Sequence, residues 1–105
     1  MPKVFLITRT NLDTVKASEF GELNVVFSNM ISPYGIEHFK KALLENLEQN
    51  DFNAEDDYIV LTGSINHCCL GVITIYEEYG QVKILMFDSK TESYKARVLC
   101  STTIS

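Results

Sequence analysis

The chain has 105 residues, 46% of them hydrophobic and 22% charged, which is the composition of one ordinary globular domain and excludes a disordered chain. Its net charge of −5 argues against generic binding to nucleic-acid phosphates, and no apolar stretch approaches the roughly 18 residues of a membrane span. The three cysteines are an odd number that implies no disulfide framework, so we expect a soluble protein of the cytoplasm.

The first half of the chain alternates between strand and helix patterns. Residues 3–7 and 23–27 are short apolar runs, which are typical of buried strands. Residues 12–20 between them predict a short helix that Gly21 ends. A longer helix follows, and its apolar stripe at helical spacing consists of Ile36, Phe39, Leu43, Leu44 and Leu47.

Local signals predict both ends of this longer helix. Ser32-Pro33 is typical of a helix start, because Ser accepts from a free backbone N–H and Pro has no N–H to leave unpaired. The apolar stripe fades at Asn50-Asp51, where we place the end of the helix.

The second half predicts a strand, a largely buried helix and a hairpin. Residues 58–61 form a third apolar run, and from Ile65 the period becomes helical as far as a Gly80 cap. Residues 82–87 and 94–99 are two further strands joined by a short polar turn, so they form an antiparallel hairpin at the sheet edge. The helical stripe expected to face the sheet consists of Cys68, Cys69, Val72, Ile73 and Tyr76.

Alternating strands and helices predict an α/β fold, a single small three-layer doubly wound domain over residues 1–99, with residues 100–105 as a frayed tail. We expect a mainly parallel four-stranded sheet in the order 2-1-3-4, with the C-terminal antiparallel edge strand outside the fourth strand. In such sheets, ligands bind beyond the carboxyl ends of the strands where the strand order reverses. Here that place lies between the first and third strands.

The residues at this reversal are candidates for a nucleotide or anion site. They are Thr8, Arg9 and Thr10 after the first strand, Thr62, Gly63 and Ser64 after the third, and Asp88 at the end of the fourth. The helix after Ser64 would point its free N–H groups at a ligand, and Arg9 would add a positive charge. The same residues also suit an ordinary turn, in which Gly allows the bend and Ser caps the helix. The sequence leaves both interpretations open.

His67, Cys68 and Cys69 look like a metal or nucleophile cluster, but consecutive helical residues point about 100° apart and cannot converge on one ion. We therefore interpret Cys68 and Cys69 as small core residues, with His67 on a different face of the helix. No metal, no cofactor and no catalytic residue is predicted.

The second helix also carries a predicted contact between two copies of the chain. Leu70 and Ile75 lie beside the stripe that is expected to face the sheet, so they need another cover. The N-terminal segment around Leu12 and Phe20 is one candidate cover within a single chain, but this crossover is too short to cover much, and a second copy of the chain is the other candidate. Gly71 and Thr74 are small enough to allow a close helix approach. We therefore expect a homodimer, formed by an isologous helix–helix or edge-strand contact.

Charge is unevenly distributed along the sequence. Residues 45–57 carry six acids and no base, which is typical of a solvated helix end and loop, or of a surface that mimics a polyanion or meets a basic partner. The terminal hairpin is basic. Its charges either form a binding patch or protect the edge strand from aggregation, and they belong to Lys83, Lys90, Lys95 and Arg97.

Several segments resemble a group of small uncharacterised proteins encoded by bacteriophages. The segments are KVFLI near the start, EFGEL with VVF, the acid-rich stretch before DDYIVLTGS, the helix end EEYGQV, and KILMFDSKTESYKARVL. The resemblance covers most of residues 3–99 and implies a phage or prophage protein that acts inside a bacterial cell. It implies no activity and no shared catalytic residue.

The leading functional hypothesis is a small non-catalytic phage accessory protein that binds and modulates a host macromolecule, in host takeover or counter-defence. The small size, the acidic surface, the phage resemblance and the lack of a catalytic constellation in the sequence motivate this hypothesis. The first alternative is a nucleotide or anion binder at the strand ends, and the second is a small hydrolase at the same place. We expect a host protein as partner and no membrane binding.

Overall fold

The computed structural model describes residues 2–8, 15–28, 32 and 34–100. Within them, the strands are β1 (Lys3–Thr8), β2 (Glu22–Phe27), β3 (Tyr58–Val60), β4 (Gln81–Asp88) and β5 (Ser93–Cys100). The helices are α1 (Ile36–Gln49), α2 (Ile65–Tyr79) and a 3₁₀-helix (Val15–Phe20) between β1 and β2. Each apolar run of the sequence has therefore become a strand, and each segment of helical period has become a helix.

The five strands form one sheet in the order β2-β1-β3-β4-β5. Neighbours from β2 to β4 are parallel, and β5 pairs antiparallel with β4, as the sequence predicts. Leu6 stands opposite both Val25 and Val60, so the carboxyl ends of β1 and β3 lie side by side. β5 continues through Cys100, one residue past the predicted end, and the rest of the predicted tail, residues 101–105, lies outside the described residues.

The two faces of the sheet are covered unequally. Both α-helices pack on one face, over a core that contains Phe5, Ile7, Phe39, Leu43, Leu47, Ile59, Ile75, Val82 and Ile84. The opposite face carries a smaller cluster of Val4, Leu6, Ala17, Val60 and Leu85, which the 3₁₀-helix covers. The predicted three-layer character is therefore confirmed only coarsely, because the third layer is one six-residue 3₁₀-helix instead of a helix over residues 12–20.

α1 begins later than predicted. The helix starts at Ile36 after the N-cap Gly35, and the predicted start at Ser32-Pro33 is wrong. Ser32 Oγ accepts a hydrogen bond from the Tyr34 N–H at 3.2 Å, so its hydroxyl stabilises a local turn and does not cap the helix. The end of the helix at Asn50 is as predicted.

α2 turns a different side to the sheet than the sequence predicts. The prediction is wrong for Cys69 and Ile73, since both are exposed, Ile73 to 52%. The residues of α2 that are buried are Gly71, Thr74 and Ile75. Gly71 allows α2 to approach β1 so closely that a Cβ at this position would stand 2.5 Å from Ile7 Cδ1. Apolar residues surround this helix, so periodicity could not select the buried side.

One acid of the segment 45–57 is buried, although the sequence predicts a solvated run. Asp57 is only 1% exposed. Its Oδ1 accepts from the Lys3 N–H at 2.8 Å, its Oδ2 accepts from the Asn53 N–H at 2.8 Å, and Lys3 Nζ stands 3.5 Å from Oδ2. The carboxylate thereby ties the loop before β3 to the start of β1. The other acids of the segment are exposed.

Candidate functional site

The carboxyl ends of β1 and β3 are joined by the side chain of Thr62. Its Oγ1 accepts from the Thr8 N–H at 2.8 Å and donates to the Thr8 carbonyl oxygen at 2.7 Å. The Thr62 hydroxyl thus makes both hydrogen bonds that the backbone of a paired strand would make with Thr8, although the two residues are 54 positions apart in the chain. Thr62 is buried, and its hydroxyl is used both as donor and as acceptor. It therefore joins the carboxyl ends of β1 and β3 and does not point at a ligand.

Gly63 makes the sharp turn from β3 into α2. Its φ is +101°, a conformation that residues with a Cβ rarely adopt. A Cβ at this position would also stand 2.8 Å from Thr8 Oγ1. The turn therefore requires glycine for two independent reasons, its backbone conformation and the closeness of β1.

Ser64 caps α2 together with His67. Ser64 Oγ accepts from the His67 N–H at 3.2 Å, and the Ser64 N–H donates to His67 Nδ1 at 3.3 Å. These reciprocal bonds form a capping box with histidine in the place that Glu or Gln usually takes. The imidazole also packs beside the Phe39 ring, with 5.9 Å between ring centroids.

The contact between Ser64 and His67 is not among the contacts predicted from the sequence. Ser64 Oγ lies 2.8 Å from His67 Nδ1, which is hydrogen-bond distance between a hydroxyl and a base. The spacing S-x-x-H, which matches that of the S-x-x-E capping box, was the signal that could have found it. The pair supplies the hydrolase hypothesis with a nearby base, but helix capping accounts for every one of these contacts. Hydrolysis stays a prediction.

Asp88 is engaged within the β4–β5 hairpin. Its Oδ2 stands 3.0 Å from Lys95 Nζ, and its Oδ1 accepts from the Lys90 N–H at 2.9 Å. The hydrogen bond from Lys95, followed by that from Lys90, lowers the pKa of this carboxyl below its ordinary value. Asp88 is therefore ionised at neutral pH and occupied by its own hairpin. The other two predicted site residues, Arg9 and Thr10, lie outside the described residues, so the nucleotide or anion site stays a prediction.

The three cysteine and histidine neighbours on α2 do not form a cluster. Cys68 is half-buried, and burial raises the pKa of its thiol, which favours the protonated form. Cys69 is exposed, so the core interpretation is wrong for this residue. Within the described ranges, no three His, Cys, Asp or Glu side chains are placed to hold a metal ion.

The two buried threonines predict opposite responses to the same substitution. Thr74 Oγ1 is buried beneath α2 without a hydrogen-bond partner, whereas the Thr62 hydroxyl makes two strong bonds. Because Val has the same shape, we expect Thr74→Val to raise the free energy of unfolding by about 1 kcal/mol and Thr62→Val to lower it by about 2 kcal/mol. Urea unfolding followed by circular dichroism measures both changes. Losses of equal size in the two variants would contradict this hydrogen-bond assignment.

The exposed side of α2 carries an apolar surface. Ile65, Cys69 and Ile73 follow one another at a spacing of four residues, and Ile65 is 80% exposed. Beside them, Tyr34 is 83% and Ile36 is 50% exposed. We call these five residues the α2 patch. Leu70 and Asn66 complete a shallow groove of about 310 Å³ between Cys69 and the start of α1.

The predicted contact residues between two copies lie mostly inside the chain. Gly71, Thr74 and Ile75 are buried in its own core, and Leu70 is half-buried in the groove. Ile75 is therefore covered by the core on the helix-covered face of its own chain, whereas Phe20 packs against the cluster on the opposite face, and Leu12 lies outside the described residues. If two copies meet through α2, the exposed apolar side chains that this helix offers are Ile65, Cys69 and Ile73. The homodimer itself stays a prediction.

The described residues form a small α/β domain with a mixed five-stranded sheet and two α-helices. Comparison with protein families matches residues 2–99 to the family described as Phage Pam3 gp32-like protein. The chain belongs to this phage family, which confirms the resemblance to phage-encoded proteins. No curated protein and no solved structure matches it. Neither α-helix of the described part is long and apolar enough to cross a membrane.

Proposed function

We propose that this phage protein is a non-catalytic accessory protein that binds a host protein through the α2 patch. The observation that carries the proposal is the exposure of large apolar side chains on one side of α2, most of all Ile65 and Ile73. Contiguous exposed apolar surface beside a groove marks an interaction site. When a partner covers such a surface, the release of water from it lowers the free energy. The phage family supports a host protein in the bacterial cytoplasm as this partner.

The polar side chains at the carboxyl ends of the strands support a binding function in preference to catalysis. The hydroxyl of Thr62 is engaged by β1, that of Ser64 caps α2, and Asp88 is held by Lys95 and Lys90. A nucleophile or general base must be able to reach a substrate atom. Thr62 and Asp88 are instead engaged with other groups of the chain, and the contacts between Ser64 and His67 are those of a helix cap.

A site-specific photo-crosslinker tests the proposal in host cells. We expect a crosslinking amino acid at Ile73 to capture a host protein, and the same amino acid at Glu45, which is exposed on α1, to capture none. The captured protein is then purified and titrated by calorimetry. We expect Ile73→Lys to weaken its binding at least about tenfold, since a central apolar contact is typically worth more than 1 kcal/mol. Glu45→Lys, the matched control, leaves the affinity unchanged.

Two outcomes would contradict host-protein binding at the α2 patch. Equal capture from Ile73 and Glu45 would show that the contacts are not specific to this surface. Capture of a second copy of the chain would assign the patch to the predicted homodimer. Light scattering of the purified protein distinguishes the latter case, because a homodimer has twice the chain mass of 11.9 kDa.

A further inference from the structure

We propose that the outer edge of β5, the edge away from β4, binds an extended strand in which acidic residues alternate with apolar ones. β5 has eight residues and stands at the end of the sheet, where β4 is its only neighbour among the described strands. The outer edge of such a strand presents N–H and C=O groups to which another extended chain can pair. The proposal concerns a different surface from the α2 patch and does not depend on it.

The two faces of β5 differ in chemistry. Lys95 and Arg97 stand opposite Met86 and Ile84, so both lie on the helix-covered face, where they are exposed. The other face carries Ala96 and Val98, and Val98 is 51% exposed. Since successive side chains of a strand point to opposite faces, a paired strand would meet basic and apolar residues in alternation.

The basic side chains of β5 determine the charge that a partner strand must carry. Lys95 already has a carboxylate partner, at 3.0 Å in Asp88. Arg97 has no carboxylate within ion-pair distance in the part of the chain that the structure describes, and its guanidinium donates to the Ala96 carbonyl oxygen at 2.7 Å. A carboxylate on a neighbouring strand would give Arg97 the pair that it lacks. Apolar residues at the alternate positions would cover Val98.

The same charges disfavour a second copy of the chain at this edge. In an antiparallel pair about a two-fold axis, a register centred on Ala96 sets Lys95 against Arg97 of the other copy. A register centred on Arg97 sets two guanidinium groups against each other. Like charges directly opposite destabilise a strand pair, so the edge repels itself in these two registers, each of which pairs seven of the eight residues of β5.

Synthetic peptides test this edge directly. One heptapeptide has Val at its second, fourth and sixth positions and Glu at its third and fifth, and the matched peptide has Lys in place of Glu. We expect the Glu peptide to bind at least about tenfold more tightly by fluorescence polarisation. Arg97→Glu is expected to reverse the preference, and Arg97→Gln to abolish most of it. Lys95 is left unchanged, because a carboxylate there would face Asp88.

Backbone pairing is tested separately from charge. N-methylation of the peptide on alternate residues removes the N–H groups of one edge, so one of the two methylated sets is expected to abolish binding and the other to leave it intact. In two-dimensional NMR, amide shift changes are expected on β5 and β4 but not on β2, the opposite edge of the sheet.

Three results would overturn the proposal. Equal binding of the Glu and Lys peptides would remove the role of Arg97. Unchanged binding of both methylated sets would show surface attraction without strand pairing. A dimer in light scattering that protects the β5 amides from exchange would show that a second copy occupies this edge.

Discussion

Replacing Asp57 by alanine is expected to lower the free energy of unfolding by about 3 kcal/mol, the largest loss expected among the six acids of residues 45–57. The carboxylate is buried and accepts from the N–H groups of Lys3 and Asn53. Alanine would leave both N–H donors without a partner, at a buried position where water does not replace the carboxylate. Each orphaned donor costs about 1–3 kcal/mol. Urea unfolding measures the loss.

The neighbouring acid provides the matched control. Asp56 is exposed and has the same charge, so Asp56→Ala is expected to change the stability by less than about 0.5 kcal/mol. Asp57→Asn keeps one carbonyl acceptor and is expected to fall between the two. If Asp57→Ala and Asp56→Ala proved equally stable, the hydrogen bonds of Asp57 between the loop and β1 would contribute nothing to stability, and its carboxylate would matter no more than a surface charge does.

Replacing Gly63 by alanine is expected to cost about 3 kcal/mol. The positive φ of +101° strains any residue with a Cβ, and the new methyl group would meet Thr8 Oγ1 at 2.8 Å. Because Thr8 is held by Thr62, the neighbouring strand cannot easily move away. We expect a lower midpoint in urea unfolding, with the slope of the transition unchanged.

Gly80 separates the two causes of this loss. It also has a positive φ, of +78°, but apart from its own helix and its chain neighbours no atom of the described residues lies within 4 Å of the position that its Cβ would occupy. Gly80→Ala is therefore expected to cost only the backbone strain, about 1 kcal/mol. Thr8→Ala combined with Gly63→Ala should recover part of the extra loss, because it removes the obstructing atoms. A Gly63→Ala loss no larger than that of Gly80→Ala would mean that the contact with Thr8 is not rigid.

Local patterns in the sequence determined the elements of the fold and their order. Short apolar runs gave the strands, and the stripe with Phe39, Leu43 and Leu47 gave α1, because burial follows the period of each element. Gly80 was recognisable as the cap of α2 since only glycine adopts the left-handed conformation without cost. The hairpin followed from two strands and a short polar turn. These features depend on residues close together in the chain.

Only the tertiary structure decided how α2 faces the sheet and which polar residues are available. α2 is apolar on several sides, and the fit of Gly71 against Ile7 selected the buried one. The exposed side then became the α2 patch, which the sequence placed in the core for Cys69 and Ile73. Periodicity describes a helix by itself, whereas its orientation depends on the shape of the sheet that it packs against.

The burial of Asp57 and the engagement of Thr62 were equally hidden in the sequence. Asp57 reads as one of six acids in a solvated run, and Thr62 reads as a loop residue at a binding site. Each makes its decisive bonds to β1, with Lys3 and Thr8, across 54 residues of chain. Strand pairing brings these groups together, and whether a polar side chain is buried and satisfied depends on that neighbour, which no local pattern specifies.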